Sequence, residues 1–236
     1  MGRLTNALGE ISESKFKLAE TVEIMRRTVE ALHGVSELPM TRVTVPSAGG
    51  RYFMFSDDEA GDMPPVNAFE GVILTANFVN AYWEHGFGEG GEKTPNCMST
   101  DGISGWDRDG LEHVCKTCPR NRMGSKDGGR GKACRNNVQL MVLLEGEALP
   151  VALKVPTMSV PNYVRYVAGV LTPRGLQPYQ VTTRFGLMKA TNANGVDYSQ
   201  IMFNCTGRVN DDEIKALMGE VTPLLETSEA VEVQGA

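Results

Sequence analysis

The sequence predicts a mainly β chain of the α+β class: a five-stranded barrel with one helix between its third and fourth strands. Three observations predict it. Runs rich in β-branched and aromatic residues recur in the order strand, long insertion, strand, strand, helix, strand, strand. The turn Asn192-Ala193-Asn194-Gly195 separates the last two strands, with Asn-Gly supplying residues that tolerate positive φ. The insertion, residues 86–136, is glycine-rich and holds four of the five cysteines. A chain of 236 residues can bury a core without help from a metal.

Taken in order, residues 12–33 read as a helix. Leu18, Val22, Met25, Val29 and Leu32 recur at alternating steps of four and three, Leu4, Leu8 and Ile11 extend the stripe, and Gly34 can cap its end. This first unit, 1–35, suits packing on its own domain or pairing in a homodimer. Thr41–Val45 and Arg51–Phe55 read as a hairpin, and Asp57–Pro65 as an acidic loop. Phe69–Glu84 is the first barrel strand, with Gly71 as its expected bulge. Gly86–Asn136 reads as loop. Val138–Leu144 turns through Glu145-Gly146-Glu147 into Leu149–Val155. Ser159 is placed to cap a helix through Leu171, with Pro161 in the first turn and Gly175 after the end. Tyr179–Ala190 and Tyr198–Cys205 complete the set. Asn210 caps a last helix over 210–226, and 227–236 is a polar, disordered tail. An insertion between strands one and two and a helix between three and four is the order of an OB-fold, here over 36–209. In that fold the first–second and fourth–fifth connections flank the binding face.

Cys97, the pair Cys115-Lys116-Thr117-Cys118, and Cys134 offer four thiolates to one ion. Four sulfur ligands close a tetrahedral shell and leave no open position, so the site is structural, and zinc suits it best. Cys118-Pro119 keeps an iron–sulfur cluster as the alternative, and His85 and His113 are reserve ligands. Cys205 lies in an apolar run and reads as a small core residue. Clustered cysteines without an apolar leader point to a reducing, cytoplasmic setting. No apolar run approaches the roughly 20 residues that span a bilayer.

Net charge is −6, yet from Cys115 to Arg135 seven basic residues face Asp127 alone, a local +6 that leaves −12 for the rest. Lys116, Arg120, Arg122, Lys126, Arg130, Lys132 and Arg135 make that patch, a focused attraction for phosphates. Lys154, Arg184 and Lys189 add cations on the barrel. Single-stranded nucleic acid also needs aromatic faces. Alternation turns Tyr198 outward while Ile201, Phe203 and Cys205 look inward, and Tyr82, Trp83 and Trp106 flank or lie in the insertion. Phe78 and Phe203 are expected in the core. Enzymatic patterns are missing. The run Gly128–Ala133 lacks the first glycine and the Ser or Thr of a P-loop. His113-Val114-Cys115 lacks the H-x-E of a zinc deaminase. No histidine stands in a nucleophile motif.

Strand order and cysteine loop together resemble zinc-bearing OB-fold single-stranded-DNA-binding proteins: the phage helix-destabilising type, and in idea the zinc-ribbon OB domain of replication protein A. The segment Cys115-Lys-Thr-Cys-Pro-Arg-Asn-Arg-Met-Gly-Ser, followed by Gly-Arg-Gly-Lys-Ala-Cys134, is similar to phage-encoded proteins of this kind. The resemblance implies a non-enzymatic, sequence-tolerant single-stranded-DNA-binding protein of replication or recombination, with RNA left open and replication or recombination proteins as further partners. It implies Cys97, Cys115, Cys118 and Cys134 as metal ligands. A reading from another class is a zinc-stapled adaptor that dimerises through its N-terminal helix and grips a polymerase or other protein.

Overall fold

A computed structural model describes residues 41–57, 61–62, 64–85, 94–126, 128–129, 131–147, 149–193 and 195–219, together with the helical residues Glu23, Ile24, Arg27 and Ala31. The expected N-terminal stripe, the end of the expected last helix over 220–226 and the expected 227–236 tail lie outside the described residues.

The molecule is organised by one long strand. β1 (Arg42–Thr44), β2 (Met54–Asp57) and β3 (Gly61–Asp62) come first, then β4 (Ala68–Tyr82). β5 (Cys97–Ser99), β6 (Ser104–Asp107) and β7 (Glu112–Val114) follow, then β8 (Arg135–Leu144) and β9 (Val151–Val155). Helix α1 (Val160–Tyr166) runs on through a π-turn to Leu171 and ends at Gly175, whose φ of 68° is the left-handed cap anticipated there. β10 (Val181–Thr191) and β11 (Asp197–Arg208) form a hairpin, and helix α2 covers 211–219. Among the described residues no helix is long and apolar enough to cross a membrane.

β4 pairs antiparallel with β8 along most of its length. On its other side it pairs with β10 near its start and with β5 near its end. β8 pairs with β9, and β9 pairs in parallel with β1. β11 pairs with β10 alone, so the sheet is mixed and open. The expected first hairpin takes the edge of β9. A bridge between Ser47 and Tyr198 and a 2.8 Å hydrogen bond from the Ser199 hydroxyl to the Gly50 carbonyl tie it to β11.

Each side of the sheet buries a core. Phe53, Phe55, Ile73, Leu140, Leu153, Tyr163, Tyr166, Phe185, Ile201 and Phe203 fill one side beneath α1. Val72, Leu74, Met141, Leu143 and Ala152 pack against Val209, Ile214 and Leu217 of the C-terminal segment on the other. This is why β8 reads as continuously apolar: its alternate residues enter different cores. The Asn210 side chain accepts from the Asp212 and Glu213 amides at 2.9 and 3.1 Å, the cap expected for α2.

Four local expectations are corrected. The bulge lies at Leu74, where the β4–β8 register slips between Ile73 and Thr75. Gly71 serves a close approach instead, since a Cβ there would meet the Leu143 carbonyl at 2.6 Å. Phe78 lies on the face of Ala76, opposite the core residue Val138, yet is 42% exposed rather than buried. The Ser159 hydroxyl does not cap α1; it accepts the Ile201 amide at 3.0 Å and ties the helix start to β11. Finally, the insertion is not wholly loop: β5, β6 and β7 form a meander that extends the sheet sideways from β4.

Candidate nucleic-acid interface and cysteine cluster

The meander is polar and is shaped by side chains binding backbone. Asp101 Oδ1 accepts the Ile103 and Ser104 amides at 2.7 and 2.9 Å and the Ser99 hydroxyl at 2.9 Å, closing the β5–β6 turn. Asp107 accepts the Asp109 and Leu111 amides at 3.0 and 2.9 Å and closes the β6–β7 turn, while its other oxygen meets His113 Nε2 at 2.7 Å. The His113 contact, then these amides, hold the Asp107 carboxyl below the usual range. Arg108 donates to the carbonyls of Thr94 and Pro95 and fastens the turn to the start of β5.

Alternation divides the meander into two faces. Cys97, opposite Asp107, shares its face with Gly105 and His113. Gly105 makes room for sulfur: a Cβ there would lie 3.1 Å from Cys97 Sγ and 3.6 Å from Cys115 Sγ. Cys115 and Cys118 sit in a tight knuckle in which the Thr117 and Cys118 amides both donate to the Val114 carbonyl. Cys134 returns to it, its amide donating to the Arg120 carbonyl at 2.9 Å. Burial, and then the thiols of Cys115 and Cys118, push the Cys134 thiol up to about 12 and raise that of Cys97. Cys97 and Cys134 each lie within electrostatic reach of Cys115 and Cys118. Among the described residues, no three His, Cys, Asp or Glu side chains form a ready-made ligand set. Electrostatic reach exceeds coordination distance, so the two observations are compatible. His85 is exposed at the end of β4, outside the cluster.

The opposite face carries the aromatic and basic residues. Arg135, Ala81, Met98, Trp106 and Glu112 are direct cross-strand partners in one row over β8, β4, β5, β6 and β7. Trp106 is 57% exposed. The Arg135 guanidinium lies 5.2 Å from the Trp83 ring centre. Farther along β8 and β9, Asn77, Gln139 and exposed Lys154 form a second row on this face.

The remaining candidates lie elsewhere. Tyr82 is opposite Cys97 on the cysteine side, with the Arg120 guanidinium 4.1 Å from its ring centre. Lys116, Arg122 and Lys126 are exposed around the knuckle, and Arg122 donates to the Thr117 carbonyl. Lys132 is half-buried and donates to Asn121 at 3.1 Å and Asn136 at 2.8 Å, so its ammonium braces the loop. Arg130 lies outside the described residues. Arg184 pairs with Glu70 at 3.2 Å, at the other end of β4, about 40 Å from Tyr82 at some 3.3 Å per residue. Half-buried Tyr198 sits in the β10–β11 hairpin beside Ser47. The structure thus gathers Trp83, Trp106, Arg135 and Lys154 on one face, places Tyr82 and Arg120 behind it, and leaves Arg184 and Tyr198 remote. The sequence reading passed over Met98 and the Asp101 turn, and read Asp107-Arg108-Asp109 as a solvated turn. The Asp-x-x-Ser and Asp-Arg-Asp-Gly spacing of turn residues was the available signal. No family model, no curated protein and no solved structure matches the chain.

Proposed function

We propose that the protein binds single-stranded DNA without strong sequence preference and without catalysing a reaction, in replication or recombination. The observation that supports it most is the two-sided insertion: thiols gathered on one face, exposed Trp106 and the arginine-stacked Trp83 on the other. Base faces and cations side by side are what a sequence-tolerant single-strand binder requires. In this reading β4, β8, β9, β10 and β11 are the five strands of an OB-type barrel. The pairings β4–β8, β8–β9, β4–β10 and β10–β11 support it, and the β1 segment stands where the third and fifth strands would meet.

Zinc is the ion we propose for the cysteines. Cys97, Cys115, Cys118 and Cys134 would hold it, and the space at Gly105 beside the Cys97 and Cys115 sulfurs suits that donor set. Bound there, the metal supplies a cross-link between β5, the knuckle and the start of β8. The chain's own residues do the rest: Asp101 and Asp107 shape the turns, Lys132 braces the loop, and Arg120 and Arg135 clamp it to the end of β4.

Fluorescence anisotropy with a labelled oligothymidine strand, at two salt concentrations and with metal content measured in parallel, tests the reading. Binding should weaken steeply with salt as counterions are released. A protein with its full metal content that ignores the strand at low salt would refute it. One observation favours the adaptor alternative: Ile103, Leu111, Val114 and Met123 are exposed on the same insertion. A stable protein partner co-purifying without nucleic acid would select that reading.

A further inference from the structure

We infer that the bases stack on the meander face that carries Trp106 and the Trp83–Arg135 pair, with phosphates directed toward Arg135 and Lys154; this rests on the single-stranded-DNA reading above. The site is an extension of the sheet beyond β4 rather than the hairpin end at Tyr198. Trp106 and Arg135 stand in the same cross-strand row, three strand steps apart. At some 4.8 Å per step, that is about 14 Å of continuous surface. Half-buried Met98 and the small, buried Ala81 fill the interval.

The chemistry of the face selects its occupant. Tryptophan is usually well buried, yet Trp106 stands exposed on a sheet surface, between Met98 and Glu112 and on the face of exposed Val114, with Arg135 farther along its row. Asn77 and Gln139 continue the face to Lys154, so its β8–β9 part carries polar and basic groups that suit a phosphate backbone. Arg135, the last basic residue of the Cys115–Arg135 run, stands on the face itself. Glu112 ends the Trp106 row at the β7 edge, where it repels phosphate, so the strand runs from Trp106 inward toward β8 and β9. The cysteines hold the surface from behind: Met98 follows Cys97, Arg135 follows Cys134, and Trp106 follows the glycine that receives two sulfurs.

Trp83 and Trp106 are the two tryptophans of the chain, which gives a direct readout. In Trp83→Phe protein, oligothymidine should quench the fluorescence of Trp106. Trp106→Ala should weaken binding about tenfold or more, as expected for losing a stacked base. Trp106→Phe should keep most of the affinity, and Tyr198→Ala and Arg184→Ala should change it less than twofold. Circular dichroism and metal content serve as the folding check on each variant. If wild type binds but Trp106→Ala binds equally well, or Tyr198→Ala is the variant that weakens, the site assignment is overturned while the DNA reading stands. If wild type does not bind, both fall.

Discussion

At the Ala68 end of β4 the side chains that meet are rings. Phe69 stacks on Phe185 at 4.7 Å and meets Phe53 edge-on at 4.9 Å, and Phe203 links them to Tyr163 and Tyr166. At the Tyr82 end, Tyr82 and Trp83 are each covered by an arginine, and the nearby turns are built by carboxylates accepting backbone amides. One strand therefore joins a region held by apolar burial to a region held by hydrogen bonds. Burial is cooperative and non-directional, so the first region should melt with the whole protein. Local polar turns open separately at lower cost, so the second region should loosen before the first.

The largest effect is expected from Phe185→Ala. The ring is fully buried and touches two others, so its loss should cost about 3–5 kcal/mol through lost transfer energy and a residual cavity. Urea denaturation followed by circular dichroism should show the whole transition moving. A loss confined to the hairpin, with β8 amides still protected, would break the idea that this end is one cooperative unit. Ser159→Ala is the polar counterpart in the same region. It leaves the buried Ile201 amide without its acceptor and should cost about 1–3 kcal/mol, again across the global transition.

The two ends also differ in what the sequence discloses. Strands β8, β9, β10 and β11, and the Asn210 cap, follow from runs of apolar residues and one local turn rule. The meander does not, because β5, β6 and β7 are three or four residues each and lack alternation against a core. What defines them is Asp101 and Asp107 folding back on amides two to four residues ahead, a signal that looks like ordinary loop composition. The bulge at Leu74 is silent in the sequence for another reason. Leu74 is as apolar as its neighbours, and only pairing with β8 reveals the slip that sends it to the core packed against Val209, Ile214 and Leu217. The cysteine spacing was legible as a cluster, yet the division of the insertion into a sulfur face and an aromatic face depends on cross-strand register. Arg184 looked equivalent to Arg135 by type; Glu70 and the length of β4 separate them.

A smaller effect is expected at the polar end from Arg135→Ala. An exposed cation on a ring contributes roughly 0.5–1 kcal/mol, so the global transition should barely move while tryptophan fluorescence shifts as Trp83 loses its cover. If the denaturation midpoint falls as far as it does for Phe185→Ala, the two ends are one unit and the contrast fails.

The smallest effect is a matter of pH and concerns Asp101. The Ile103 amide, the Ser104 amide and then the Ser99 hydroxyl hold its carboxyl below the usual aspartate range. A carboxyl whose folded pKa is depressed favours the folded turn fully above the unfolded value of about 3.9, and that preference is lost as pH falls through the lower, folded value. The β5–β6 turn should thus hold at neutral and mildly acidic pH and loosen only below about pH 4. Amide resonances of Ile103 and Ser104 should titrate there, while those of Val142 in β8 stay fixed. A titration midpoint at or above the ordinary aspartate value would mean that the three donors do not converge on Asp101 in solution. The meander face would then lack the turn that sets Trp106 in its row, and the contrast between a ring-built end and a turn-built end would lose its second term.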